Sequence, residues 1–125
     1  MRTHPVLIVD DDDDIRESII DFLEDHGYAA VGAANGKDAL DKLVARTLEP
    51  AVIVLDLMMP VMDGRTFRDE QLRDPDLARI PVIVVSAFRE APAVVADMGG
   101  SLVRKPLDLD RLLKAVRRHC DRRCD

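Results

Sequence analysis

Carboxylates stand directly after two apolar runs of the sequence. Asp10 and Asp11 follow the run at 6–9, and Asp56 follows the run at 51–55. Carboxylates that are held close together repel one another and raise one another's pKa unless a cation is present. Oxygen ligands of this kind suit a hard divalent ion, Mg²⁺ or Mn²⁺, and an Asp carboxylate can attack phosphorus. The pattern therefore predicts a metal-assisted site at which a carboxylate takes up a phosphoryl group.

Two further polar residues occupy equivalent positions. Ser86 ends a third apolar run, and Lys105 follows a fourth. A hydroxyl and an ammonium group can bind phosphoryl oxygens. Each residue alone has a simpler explanation: Ser86 as a strand-end cap, Lys105 as a solvated lysine. Asp12 to Asp14 are best explained as a helix cap and first-turn acids, and Asp10 and Asp11 alone are open to the same explanation.

Strand-like and helical patterns alternate along the chain and explain how these residues meet. Short apolar runs predict five strands, and recurrences at helical spacing predict about five helices between and after them. Strands that are apolar on both faces and joined by helices form a parallel sheet covered on both sides. The strand segments are Val6–Val9, 28–31, 51–55, 81–85 and 102–103. Ligands of such sheets bind beyond the carboxyl ends of the strands, so the polar residues share one edge.

The length, net charge and apolar runs of the sequence exclude several classes of protein. The 125 residues are the size of one domain, and the net charge of −6 argues against direct binding of nucleic acid. No apolar run reaches the roughly 20 residues of a membrane span, and no signal peptide is apparent, so we expect a cytoplasmic protein without membrane contact. Cys120 and Cys124 form no disulfide framework.

The order of these motifs resembles the receiver domain of bacterial two-component response regulators. The resemblance covers nearly all of residues 1–125, through LIVDDDDDIRE, VIVLDLMMPVMDG, IPVIVVSA and VRKPLDLDRLL. The segment VLDLMMPVMDG is the most specific of these motifs. The resemblance implies a flavodoxin-like, doubly wound sheet of five parallel strands in the order 2-1-3-4-5.

The resemblance also implies a role for each site residue. Asp56 is the expected phosphoacceptor, and Asp11, Asp56 and the backbone carbonyl of Met58 are the expected direct metal ligands, with Asp10 acting through water. Ser86 and Lys105 are expected to contact the phosphoryl group. The Lys105–Pro106 peptide is expected to be cis, the isomer that only proline makes accessible.

The implied function is signalling rather than that of an enzyme. A histidine kinase or histidine phosphotransfer protein would donate the phosphoryl group, and the domain would catalyse its own phosphorylation and slow self-dephosphorylation. The added charge would draw Ser86 and Lys105 inward and alter a face made by the fourth helix, fifth strand and fifth helix. That face would bind a downstream target protein, and a homodimer is possible.

Three features depart from the usual family pattern. Leu102 replaces the aromatic residue expected three positions before Lys105, so an aromatic rotamer switch is not available. Ser86 and Lys105 are only nineteen positions apart, about one helical turn fewer than usual, and Pro92 lies between them. We therefore expect a short or distorted fourth helix. Met58, two positions after Asp56, is apolar and cannot orient a water, which predicts slow loss of the phosphoryl group.

Other interpretations remain open. A receiver fold that acts only as an interaction or dimerisation scaffold would need no phosphorylation. A haloacid-dehalogenase site would need Asp at the position that Met58 occupies, and a calcium loop would need Gly where Ile15 stands. The short basic tail, about 117–125, could complement a helix dipole, or its His and Cys residues could bind a soft metal. The sequence leaves open whether these residues are a whole protein or part of a longer one.

Overall fold

The fold is taken from a computed structural model that describes residues 4–45, 48–59, 61–87, 89, 91–105 and 108–123, the last three by their backbone alone. The strands are Val6–Val9 (β1), Ala30–Ala33 (β2), Val52–Asp56 (β3), Val82–Ser86 (β4) and Ser101–Arg104 (β5). The helices are Asp13–Asp25 (α1), Gly36–Val44 (α2), Gly64–Leu72 (α3), Pro75–Ala78 (α4), Ala91–Met98 (α5) and Leu109–Arg123 (α6).

The five strands form one parallel sheet in the order β2-β1-β3-β4-β5. This confirms the expected flavodoxin-like α/β architecture. The strand order reverses between β1 and β3, and the residues that follow these two strands therefore stand beside the crevice where ligands of such sheets bind.

Alternate side chains of the strands serve two separate apolar cores. Leu7 and Ile53 point to a core that includes residues of α2, α3 and α5, with Phe67 at 0% exposure. Ile8 and Val54 point to the other core, which includes residues of α1 and α6. Because both faces are covered, the central strands are apolar at nearly every position, as the sequence indicated.

Aspartate and asparagine side chains begin most of the helices. Asp12 caps α1 by accepting hydrogen bonds from the backbone N–H groups of Asp14 (3.0 Å) and Ile15 (3.1 Å), and Asp13 and Asp14 lie in its first turn. This geometry confirms the capping interpretation of the acidic run after position 11. Asp63 caps α3 in the same way through Thr66.

The number of helices and the position of β2 differ from the sequence prediction. The described residues form six helices rather than about five, because Asp74 caps an additional single turn, α4, before β4. The second strand begins at Ala30 instead of Tyr28. Gly27 ends α1 with φ +87°, and the N–H of Tyr28 still donates to the carbonyl of Leu23 (3.0 Å), so the helix end occupies the backbone where the strand was expected.

The helix that follows β4, predicted as the fourth, is α5. It is short, with eight residues, as expected. One of the two expected reasons, an interior proline, was wrong, since Pro92 is the second residue of the helix. In the first turn a backbone N–H has no partner within the helix, so a proline there costs little. Gly99, with φ +75°, ends the helix.

Only some of the residues near the C-terminus for which the sequence predicted a role lie within the described part of the chain. Helix α6 continues to Arg123 and thus includes most of the predicted basic tail. Cys120 is buried in the core between the sheet and α1 and α6. Cys124 and Pro106 lie outside the described residues. In the part of the chain that the structure describes, no helix is long and apolar enough to cross a membrane.

Candidate functional site

Three carboxylates from two neighbouring strand ends meet at the crevice. One carboxylate oxygen from each of Asp10, Asp11 and Asp56 lies within 4.8 Å of the other two. Asp10 and Asp56 are buried, at 3% and 6% exposure, whereas Asp11 is exposed. Three oxygen donors at this separation fit a hard divalent cation that retains some of its water ligands. The three aspartates that the sequence grouped as metal ligands, Asp10, Asp11 and Asp56, are therefore brought together.

Asp56, the last residue of β3, is held in an unfavourable environment for a charge. Burial, together with the nearby Asp10 carboxylate, raises the pKa of Asp56 to about 6. The ammonium group of Lys105 and the backbone N–H of Met58 act in the opposite direction but do not offset the burial. A cation or a bound electrophile at this position would relieve the unbalanced charge.

Ser86 ends β4 and Lys105 directly follows β5, the next two strands of the sheet after β3. Lys105 Nζ lies 3.7 Å from Asp56 Oδ1, close enough for an ion pair but too long for a hydrogen bond. Ser86 is buried at the end of β4, and its carbonyl accepts a hydrogen bond from the N–H of Lys105 (3.0 Å). The backbones that carry these two side chains are thus directly linked.

Asp10 is fixed in place from both sides. Its Oδ1 accepts a hydrogen bond from the N–H of Asp12 (2.9 Å), and its carbonyl accepts one from the guanidinium of Arg16 (2.7 Å). Burial raises the pKa of Asp10, although less than that of Asp56. Sequence reasoning missed Arg16, which appears as an ordinary helix residue until α1 folds back over the end of β1.

The turn after β3 positions the backbone around Asp56. The N–H of Met58 donates to Asp56 Oδ1 (3.3 Å), and the side chain of Met58 is 60% exposed. Gly64 begins α3, and its N–H donates to the carbonyl of Leu57 (2.9 Å). A Cβ at Gly64 would lie only 2.8 Å from the carbonyl oxygen of Asp56, so only glycine permits this close approach.

Leu102 lies apart from the carboxylates. It pairs with Val84 in the sheet register, is half-buried, and packs against the core between the sheet and α2, α3 and α5. The sequence identified it as a replaced aromatic residue, and its position shows a packed aliphatic side chain on β5. Pro106, the other residue singled out beyond Ser86 and Lys105, lies outside the described residues.

Comparison with known proteins identifies the fold family. The family model described as the response regulator receiver domain matches residues 6–117. The chain belongs to the response regulator receiver family. Receiver domains are signalling domains of two-component systems, and the acidic cluster of this receiver lies at the edge of the sheet where a ligand is expected from the fold.

Relatives of the receiver include short and long proteins. It is 32% identical over 114 residues to protein PilH of Pseudomonas aeruginosa, covering 89% of this chain and 93% of that protein. It is 42% identical over 89 residues to a protein-glutamate methylesterase/protein-glutamine glutaminase of Geobacillus kaustophilus, covering 70% of this chain but only 24% of that protein. The receiver therefore corresponds to nearly all of one relative and to about a quarter of another.

Solved structures agree with the sequence relatives. The chemotaxis protein CheY4 of Vibrio cholerae superimposes with a TM-score of 0.82 at 30% identity, covering 93% of this chain and 98% of that one. The receiver domain of the Francisella response regulator 1452 superimposes with a TM-score of 0.84 at 32% identity, covering 96% and 98%. The fold that positions the carboxylates is thus the fold of these receivers.

Proposed function

We propose that this receiver accepts a phosphoryl group on Asp56 from a phosphohistidine of a sensor histidine kinase or histidine phosphotransfer protein. The supporting observation is the convergence of Asp10, Asp11 and Lys105 on one buried strand-end carboxylate. A carboxylate oxygen of Asp56 forms the new bond to phosphorus while the phosphorus–nitrogen bond of the donor breaks. The donor imidazole keeps the electron pair and takes up a proton.

Mg²⁺ or Mn²⁺ is the proposed cofactor. Asp11, Asp56 and the backbone carbonyl of Met58 would hold it directly, and Asp10 would act through a water. When bound, such an ion neutralises charge on the transferring phosphoryl oxygens. The buried, mutually repelling Asp10 and Asp56 carboxylates support this assignment, because a divalent cation removes the electrostatic cost that raises the pKa of both.

Lys105 and Ser86 are the proposed contacts of the phosphoryl oxygens. Lys105 is already paired with the free carboxylate, so the phosphoryl group would move its ammonium from the Asp56 oxygen to a phosphoryl oxygen. Ala87, directly after Ser86, is exposed and small and leaves access to the carboxylate. The cis form of the Lys105–Pro106 peptide stays part of this proposal.

The signal would then reach a surface through the two linked strand ends. Because the Lys105 N–H is bonded to the Ser86 carbonyl, displacement of either residue moves the ends of β4 and β5 together. The surface formed by α5, β5 and α6 is the proposed binding face for a downstream target protein in the cytoplasm. Loss of the phosphoryl group by self-catalysed hydrolysis is expected to be slow, because the thioether of Met58 cannot orient a water.

A scaffold that works without phosphorylation is the second candidate function. The observation that favours it is Leu102, which is packed against the core where the family pattern has an aromatic residue. A packed aliphatic side chain cannot exchange between an outer and an inner rotamer in the way that an aromatic switch requires. Complete retention of the carboxylates and Lys105 favours phosphorylation over this alternative.

One experiment separates the two functions. The purified chain is incubated with Mg²⁺ and acetyl phosphate, and the phosphoryl group is located by intact and tandem mass spectrometry. We expect a single modification on Asp56 that depends on Mg²⁺ and is lost in Asp56→Asn. Asp63→Asn, an exposed cap outside the acidic cluster, is the matched control and should be modified like the wild type. Absence of uptake from acetyl phosphate, and from a panel of phosphorylated histidine kinases, would favour the scaffold.

A further inference from the structure

A groove of about 300 Å³ lies at the edge of the sheet between β5 and α6. All four residues of β5, Ser101–Arg104, line one side of it. Residues of α6 line the other side: Arg111, Lys114, Ala115 and Arg118. We call this feature the basic groove, because four of its eight lining residues are cationic and, among the described residues, none is acidic.

The helical repeat concentrates this charge. Positions 111, 114, 115 and 118 are spaced i, i+3, i+4 and i+7, so they form a single stripe of α6 that faces the edge strand. Arg111 has one weak partner, Asp108, with Nε and Oδ2 3.6 Å apart and both side chains exposed. The groove is positively charged although the net charge of the chain is −6. This local positive charge favours an anionic ligand.

The floor of the groove is apolar. Val103 is buried and Ala115 is half-buried, and both contribute aliphatic surface beside the cationic side chains. Free inorganic ions gain nothing from such a floor. A ligand that combines carboxylates with at least one apolar side chain uses both parts of the surface.

We propose that the basic groove binds an acidic polypeptide segment of a partner protein, anchored by an apolar side chain. A nucleic acid fits less well, because none of the described residues that line the groove is an aromatic residue on which a base could stack. A two-fold dimer through this face would bring two sets of arginines together, so a second copy is also disfavoured.

The groove is connected to the phosphoacceptor site through the end of β5. Arg104, which lines the groove, pairs with Ser86 in the sheet register, and its neighbour Lys105 is bonded to the Ser86 carbonyl. Resting on the proposed function, we infer that phosphorylation of Asp56 changes the affinity of the groove for its acidic segment. The groove would thereby be the chemical basis of target recognition by this receiver.

The test is a titration of ¹⁵N-labelled receiver with a short peptide of glutamates surrounding one leucine, followed by NMR. A peptide with glutamine in place of glutamate is the matched control ligand. We expect chemical-shift changes confined to 101–104 and 111–118, and about tenfold weaker binding of the glutamine peptide. Shifts centred elsewhere, equal binding of the glutamine peptide, or tighter binding of a single-stranded oligonucleotide at the same salt concentration would overturn the proposal.

Charge-reversal variants test whether the cationic residues of the groove provide the affinity for the glutamate peptide. Arg111→Glu/Lys114→Glu is expected to weaken binding of the glutamate peptide about tenfold or more. Lys37→Glu/Arg73→Glu changes the net charge equally at exposed sites outside the groove and should have little effect. An equal loss in both variants would show that only net charge matters. Circular dichroism checks folding, and Arg111→Gln/Lys114→Gln provides a milder version.

A separate experiment measures the coupling between phosphorylation of Asp56 and the affinity of the groove for the peptide. Beryllofluoride with Mg²⁺ is expected to change the peptide affinity of the wild type about fivefold or more, and to leave Asp56→Asn unchanged. Phosphoryl uptake from acetyl phosphate without peptide binding would reject the groove but retain the proposed function. Peptide binding without phosphoryl uptake would retain the groove proposal but reject the proposed function.

Discussion

The acidic site at the end of β3 and the pair formed by Arg68 and Gln71 on α3 both place polar groups inside the fold, with opposite electrostatic outcomes. At the acidic site two buried carboxylates repel each other, and burial raises the pKa of both Asp10 and Asp56. The chain supplies one ammonium group and a few backbone N–H groups, which do not balance the charge. A further cation would offset the charge that remains.

The Arg68–Gln71 pair is satisfied by the chain itself. Arg68 Nε donates to the carbonyl of Met98 (3.0 Å), at the last residue of α5, and Arg68 Nη1 donates to Gln71 Oε1 (2.8 Å). Gln71 Nε2 donates to the carbonyls of Leu77 (2.8 Å) and Ile80 (3.0 Å). In the ranges that the structure describes no carboxylate pairs with Arg68, so carbonyls and the negative end of the α5 dipole balance its charge.

The two regions show that buried polar groups can have two different roles. The Arg68–Gln71 pair joins α3 to the ends of α4 and α5 through hydrogen bonds to three backbone carbonyls, which is the arrangement of a structural network. The acidic site keeps an electrostatic imbalance that binding can relieve. Substitutions should therefore destabilise the fold in the first region and stabilise it in the second, while only the second affects phosphorylation.

Removal of the Arg68 guanidinium should have the largest effect on stability. Arg68→Met leaves the buried Gln71 Oε1 and the Met98 carbonyl without their donor, so we expect the free energy of unfolding to fall by about 2–5 kcal/mol. Urea denaturation measures the loss. The initial rate of phosphorylation by acetyl phosphate should stay within about twofold of the wild type at a temperature where both are folded.

Arg73→Met is the matched control for Arg68. Its side chain is 74% exposed and its guanidinium pairs with Glu70, so the change should alter the free energy of unfolding by less than about 0.5 kcal/mol. If Arg68→Met were as mild as this control, the buried network would not contribute to stability.

Gly64→Ala tests the contact between α3 and the acidic site. The added Cβ would lie 2.8 Å from the Asp56 carbonyl oxygen and 2.9 Å from Leu57 Cα, both backbone atoms that cannot move aside cheaply. We expect a loss of about 2–4 kcal/mol in unfolding free energy, together with slower phosphoryl uptake, because the end of β3 must shift. Unlike Arg68→Met, this change should affect both readouts. The exposed neighbour variant Arg65→Ala should affect neither, and a normal rate in Gly64→Ala would contradict the prediction.

Asp56→Asn should stabilise the protein at neutral pH in the presence of EDTA. The unfolded chain loses the Asp56 proton near the ordinary pKa of 3.8, whereas the folded chain keeps it until about pH 6. The wild type therefore loses stability as pH rises from about 4 to about 6. Because the asparagine variant lacks this titration, it should exceed the wild type by about 1–3 kcal/mol at pH 7 and by almost nothing at pH 4.

Urea denaturation at both pH values measures this difference, and saturating Mg²⁺ should reduce it at pH 7 by stabilising the wild type selectively. Asp63→Asn serves as the control because its carboxylate is an exposed cap outside the acidic cluster. A wild type that is at least as stable as Asp56→Asn at pH 7 in EDTA would show that the carboxylate carries no electrostatic cost.

The same contrast explains what the sequence could and could not reveal. Asp10, Asp56 and Ser86 were identifiable because each follows or ends a run of apolar residues, and parallel strands bring such positions to one edge. The order of the strands came from the family resemblance and is confirmed. The capping role of Asp12 also followed from its position before a helical pattern.

Arg68 and Gln71 could not be identified in this way. Their spacing on a polar helix is that of an exposed pair, and their burial depends on how α4 and α5 pack against α3. The extra turn α4 was missed because single turns have too few residues to show a period. Arg16 and Gly64 act through the close approach of α1 to the end of β1 and of α3 to the end of β3. These contacts depend on how each helix packs against the strand that precedes it, which no local pattern records.

Substitution of Val61 tests the comparison between the acidic site and the Arg68–Gln71 pair with the smallest expected change in stability. It is the one residue other than glycine with positive φ (+72°) among the described residues, and its β-branched side chain is 79% exposed in the turn between Asp56 and Gly64. This backbone strain lies on the acidic side of the molecule, not beside Arg68. Val61→Gly should raise the free energy of unfolding by about 1 kcal/mol, the relieved strain being partly offset by the greater entropy of glycine in the unfolded chain. Val61→Ala keeps the Cβ and should recover less. Since the side chain is mostly exposed, phosphoryl uptake should stay within about twofold of the wild type. A large change in rate would mean that the strained turn itself positions Asp56.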